Sequence, residues 1–255
     1  AFNNLKYSPV SREVAGIAVF FNSLGVHFLA LLLATQWPQM ALLEQIGVIS
    51  GYVAVLSGPL AIYFMHKIYR IEARPYWNHW QVLTAFFGNM LTLGALMTAL
   101  IFVPVFLYNG QSVGSLVQFT SVLMVVGLVA EGIGHIFHAR DLNIQGREGH
   151  VSYYEQVSTF GKTYILRNVL LLINVFVALA LGFAGGDSLL AIIVWAILVL
   201  SVLVMATIGR AMFYVLVVPT TMPGAFFWKN KGFEAHARDS GLAQMPQVGV
   251  VAETH

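Results

Sequence analysis

Ser11, Arg12 and Glu13 stand together at the threshold of a long apolar run, in the stretch KYSPVSREVAGIAVFF. A carboxylate at the edge of a bilayer can exchange protons with water and hydrogen-bond the polar head of a lipid-soluble ligand. A quinol is such a ligand, with an apolar tail and a head that releases two protons on oxidation. Glu13 also has a plainer reading. With Ser11 as the helix cap, an acid in the first turn favours the positive end of the helix dipole. Arg12 is expected to be exposed at that edge, against lipid phosphate or a docked protein. Arg210 and Tyr214, in IGRAMFY, are four apart and share a helix face. Arg210 either snorkels to the headgroups or pairs with an acid such as Glu13 and keeps it ionised.

The stretch EGIGHIFHAR sets Glu131, His135 and His138 on one helical face, at spacings that metal ligands could use. A polar cluster at a helix end, acting as a proton relay or simply satisfied at the boundary, is the alternative. Haem would need two histidines at matching depth on facing helices. His27 lies 14 residues past Glu13, roughly 21 Å deeper at 1.5 Å per residue. His135 and His138 lie near the other helix end, so neither matches it. His66 and His138 share a shallow level, which leaves a single boundary haem as a remote alternative. Asn22, Asn89 and Asn174, inside apolar runs, read as glue between helices.

These residues must be positioned by membrane spans. Hydrophobic residues make up 58% of the 255 and charged residues only 9%, with a mean hydropathy of +0.76. A soluble domain carries about 25% charged residues, so this is an integral membrane protein. With no Cys, the chain can offer neither disulfides nor thiolate ligands to zinc or iron–sulfur clusters. A net charge of +2 without a basic stripe speaks against nucleic acid. Six runs are long enough to cross a bilayer: roughly 13–35, 41–65, 82–108, 113–138, 164–185 and 188–210. They lack strand alternation, so the expected fold is an all-α polytopic bundle over 1–228, followed by a polar tail, 229–255. Within 211–228, Pro219 and Pro223 argue for a helix unwinding into an interfacial segment.

Six spans put both termini and the 66–81 and 139–163 loops on one face. All 13 Lys and Arg lie on that face or in the helix turns nearest it. Lys and Arg accumulate on the cytoplasmic side, so the basic face is expected to be cytoplasmic, in an inner (cytoplasmic) membrane. Both long loops mix charge with aromatics, Tyr and Trp in 66–81 and Tyr in 139–163, as protein interfaces do; a plain aromatic belt at the membrane boundary is the alternative.

AFNNLKYSPVSREVAGIAVFF, IYRIEARPYWNHWQVLTAFFGNMLTLGALM and IGRAMFY occur here in an order that resembles the membrane anchor subunits of DMSO reductase-type molybdoenzyme complexes. The resemblance covers residues 1–105 and 205–216; between them only helix length and placement correspond. It implies an eight-helix subunit that binds menaquinol or ubiquinol near its docking face and carries no haem. Electrons would pass between that quinone and an iron–sulfur subunit with four clusters, beyond which lies a molybdopterin catalytic subunit. The family's quinol-site acid falls on Glu13 and its last-helix arginine on Arg210. The quinone pocket candidates are then Ser11, Arg12, Glu13, His66, Tyr69, Arg70, Arg210 and Tyr214. The family has two further helices before the AFN segment, so the 255 residues are expected to be part of a longer subunit. A cytoplasmic docking face leaves the direction of electron flow open. The competing readings are a secondary transporter, for which neither an inverted repeat nor broken midplane helices are seen, and a haem-bearing cytochrome b-type subunit. A purely structural anchor without quinone is a third.

Overall fold

The computed structural model describes residues 4–144 and 149–218. Among them six helices are long and apolar enough to cross a membrane. The first, α1 (Pro9–Gln36), starts earlier than the apolar run suggests. Ser8, not Ser11, is its N-cap: the Ser8 hydroxyl accepts the Ser11 N–H at 3.4 Å, and Pro9 opens the first turn. Glu13 therefore lies beyond the first turn, where the dipole has largely faded. The helix stops at Gln36 because Trp37 precedes Pro38, which disfavours helical backbone. α2 (Ala41–Ile68) contains Pro59 yet continues through it.

α3 (Gln81–Tyr108) ends at Gly110, whose φ of 66° suits a residue without Cβ. There Gly110 N–H donates to Leu107 O and Gln111 N–H to Phe106 O, closing the helix's last carbonyls. α4 (Gly114–Leu142) runs four residues past the expected 138, because His138, Arg140 and their neighbours continue the helix once it leaves lipid. The 139–163 loop then holds a short helix absent from the sequence reading, α5 (His150–Val157). Last come α6 (Gly161–Ala184) and α7 (Leu189–Val215), the latter capped by the Ser188 hydroxyl. Of the expected 211–228 segment, residues up to Val215 simply extend α7. Pro219, Pro223 and the 229–255 tail lie outside the described residues.

The chain forms two compact units, Ala1–Arg70 and Ile71–His255. In the first, α1 and α2 make an antiparallel hairpin. Gly16 sits against Ala61, Gly58 against Phe20, Gly51 against His27 and Gly47 against Leu31. His27 Nδ1 ties the pair together at Gly47 O, 2.7 Å away. In the second unit, α3 packs on α4, α4 on α6 and α6 on α7, around Leu96, Val103, Val117, Met124, Leu198 and Val202. The α3–α4 crossing is unusually close. A Cβ on Gly88 would lie 2.6 Å from Gly127 O, and one on Gly127 would lie 2.5 Å from Gly88 O. Small residues allow such approach where helices pack by contact alone.

Candidate functional site

The hairpin register determines where the N-terminal candidates lie. It carries Ser11, Arg12 and Glu13 to the same end of the first unit as His66, Tyr69 and Arg70. Ser11 is buried and Glu13 half-buried. Arg12 is exposed as expected, but its guanidinium is engaged by its own chain, with Nε donating to Leu5 O at 2.8 Å and Nη2 to Lys6 O. His66 is buried, with Nδ1 2.7 Å from Tyr63 O; Tyr69 is half-buried and Arg70 exposed. Roughly 10 to 20 Å deeper along α1, by helix rise, Phe20, Leu24, His27, Val48, Tyr52 and Val55 line an apolar cleft of about 400 Å³.

Arg210 and Tyr214 belong to the other unit, at the end of α7. Arg210 lies over the Phe86 ring, 4.6 Å from its centroid, and Tyr214 meets Trp77 edge-on. Trp77 stacks on Phe213 and donates its indole N–H to Phe213 O at 2.8 Å. That carbonyl is one of the last four of α7, which no intrahelical donor reaches. Tyr76 and Trp77 are thus buried packing residues, not exposed docking aromatics as the loop composition suggested. Burial pushes the Tyr76 hydroxyl up to about 12, so it stays neutral. Trp80 and Tyr154 do remain exposed.

The densest polar constellation centres on residues that the sequence only half revealed. Glu131 and Arg167, each 4% exposed, face a common cavity with His135, Gln81, Asn89 and Arg210. Gln81 Nε2 donates to His135 Nδ1 at 3.2 Å, so His135 Nε2 carries its proton to Glu131 Oε1, also at 3.2 Å. Gln81 N–H donates to His79 Nδ1 at 3.0 Å, and His79 Nε2 reaches Asp141 at 3.0 Å. His138 turns elsewhere: its Nε2 donates to Tyr76 O at 2.9 Å. Glu131, His135 and His138 therefore do not converge as metal ligands, and no group of three or more His, Asp or Glu does so among the described residues.

Arg167 drew no attention in the sequence beyond its charge. Nε and Nη2 donate to Asn168 Oδ1, and its guanidinium carbon lies 5.2 Å from the Tyr164 ring centroid. The one signal was position: an arginine nearly two turns inside an apolar helix has to face protein. Of the three asparagines, only Asn174 joins helices. Asn22 and Asn89 donate to Ala18 O and Ala85 O of their own helices, and Asn89 lines the cavity.

No curated protein and no solved structure matches the chain. A family model does, over residues 1–216, which takes in both units' described helices. With six helices among the described residues long and apolar enough to cross a membrane, and that match over most of its length, the chain belongs to the DMSO reductase anchor subunit (DmsC) family.

Proposed function

We propose that this membrane anchor exchanges electrons between the quinone pool and a docked iron–sulfur subunit, with Glu13 as the group that handles the quinol proton. The observation that carries the reading is the first hairpin. It sets a half-buried carboxylate at one end, level with His66, and an apolar cleft of about 400 Å³ further along the same two helices. These residues fit an amphiphile with a hydrogen-bonding head and an apolar tail, as menaquinone or ubiquinone would be. Such a quinol supplies two electrons and two protons when oxidised. Glu13 accepts a hydrogen bond from the head and takes its proton; Ser11 and His66 offer polar neighbours at that level. Arg210 and Tyr214 remain candidates on the second unit.

The proposed partners are a four-cluster iron–sulfur subunit and, beyond it, a molybdopterin catalytic subunit, so those cofactors belong to the partners. No haem is proposed for this chain. We infer a docking face on the cytoplasmic side of an inner membrane; the one-sided Lys and Arg support that reading.

The test is Glu13→Gln in the assembled complex. Quinol-linked turnover should fall by about 10²-fold or more while the subunits still co-purify. Unchanged turnover by an assembled complex removes Glu13 from the reaction. Loss of quinone-analogue binding in the same variant would separate the reading from that of a purely structural anchor.

A further inference from the structure

The Glu131 cavity measures about 20 Å³. A single water needs about 10–15 Å³ on this measure, whereas ligand pockets run to hundreds. The space therefore suits a water and excludes a quinone head. Its walls suit one too. Glu131 Oε1 is held by His135, but Oε2 is buried and has no hydrogen-bond partner among the described residues. Arg167 faces the same cavity without a direct ion pair to Glu131, whose partner among those residues is His135 at 3.2 Å. A buried carboxylate oxygen and a buried guanidinium lining one water-sized space are natural partners for one bridging molecule.

We propose that this cavity is a hydrated proton-exchange site, in which one water serves Glu131 Oε2 and opens it to the basic face past Arg210. The hydrogen-bonded series from Asp141 inward does not itself carry the proton. It passes through Gln81, whose amide donates but has no proton to relay, so its role is to hold His135 and thereby Glu131. The remaining route follows Arg210, which lines the cavity and is itself exposed. In the exchange, Glu131 releases a proton to the water as the water releases one of its own outward. The carboxylate left behind is held by His135 N–H and the Arg167 charge; the reverse step restores the acid, and no electrons move. The titratable and charged groups facing Glu131 are His135 from its own helix, Arg167 from α6, Arg210 from α7 and Tyr76 from the preceding loop; α3 contributes uncharged Gln81 and Asn89. The inference goes beyond the quinone reading and does not depend on Glu13.

Three variants of the full chain, in its complex and in lipid nanodiscs, test it by infrared difference spectroscopy of exchange from H₂O into D₂O. The wild type should show a carboxyl band that shifts in D₂O, is missing in Glu131→Gln and persists in Glu13→Gln. Gly209→Ala keeps the carboxylate but fills the space. Its added Cβ would lie 3.8 Å from both Arg167 Cδ and Glu131 Oε1, ordinary contact that the fold tolerates. It should slow D₂O exchange of that band at least tenfold (about 1.4 kcal/mol of barrier). A spectrum unaltered in Glu131→Gln overturns the proposal. So does Gly209→Ala that exchanges at the wild-type rate, the behaviour of a dry void, and this arm decides alone if Glu131→Gln does not assemble. Loss of turnover in Glu13→Gln with the Glu131 band intact, or the reverse, tells the two readings apart.

Discussion

Asn174 and Asn89 both lie inside apolar spans and do different work. Asn174 is 1% exposed; its Oδ1 accepts the Ser201 hydroxyl at 2.6 Å, joining α6 to α7. Removing it with Asn174→Ala leaves that hydroxyl without its acceptor and opens a void, so stability should drop by about 1–2 kcal/mol in detergent unfolding. Asn22→Ala, at an exposed site bonded only to its own helix, should stay within about 0.5 kcal/mol. The sequence shows that each asparagine needs a partner but not which one, because that depends on the rotation of one helix against the next. The same limit hid the site's centre. Glu131 and His135 were visible as a spaced pair, whereas Arg167 becomes meaningful only once α6 is laid against α4. In the opening stretch Ser8, not Ser11, is the cap, and sequence alone does not choose between two serines that both precede the apolar run.

On the face opposite the basic loops, one carboxylate organises a helix start. Asp187 Oδ1 accepts the Ser112 hydroxyl at 2.7 Å and the N–H groups of Val113 and Gly114 at 2.9 Å each, binding the α6–α7 turn to the head of α4. Gly114 is needed there because a Cβ would meet the Asp187 carboxylate. The Ser112 hydrogen bond, then the backbone donors, hold its carboxyl below the ordinary 3.8. A folded value below the unfolded one means that the unfolded chain binds the proton more readily. The stabilisation is fully present above the unfolded value, near 4, and is lost as pH falls through the folded one. Thermal unfolding midpoints should therefore decline below about pH 4 in the wild type, and this part of the decline should vanish in Asp187→Asn. The spans themselves were legible because crossing lipid demands about 20 apolar residues in a row. Their ends were less so: α4 and α7 continue through polar and charged side chains, which water satisfies as well as protein does. α5, at eight residues, is too short for its periodicity to stand out.

Six candidate spans among the described residues turn the charge asymmetry into a prediction of topology. The absence of cysteine makes it easy to check, since a single introduced thiol is the only labelling site. Asn109→Cys, beside the α3–α4 turn, should react with a membrane-impermeant maleimide in intact cells. Asn143→Cys, at the other end of α4, should react only after permeabilisation. The opposite pattern would turn the docking face outward. Each unit carries candidate chemistry of its own. The boundary falls inside the charged 66–81 loop, but a polar loop alone does not tell a division between units from a connection within one bundle. The glycine contact between α3 and α4 has a bearing on how such a chain can change over generations. Lipid-facing side chains can drift freely, since one hydrocarbon surface replaces another. Gly127, one turn from Glu131, cannot gain even a methyl group without prising the two helices apart and separating Gln81 from His135. Inheritance of the polar centre thus rests on a position that has no side chain to select.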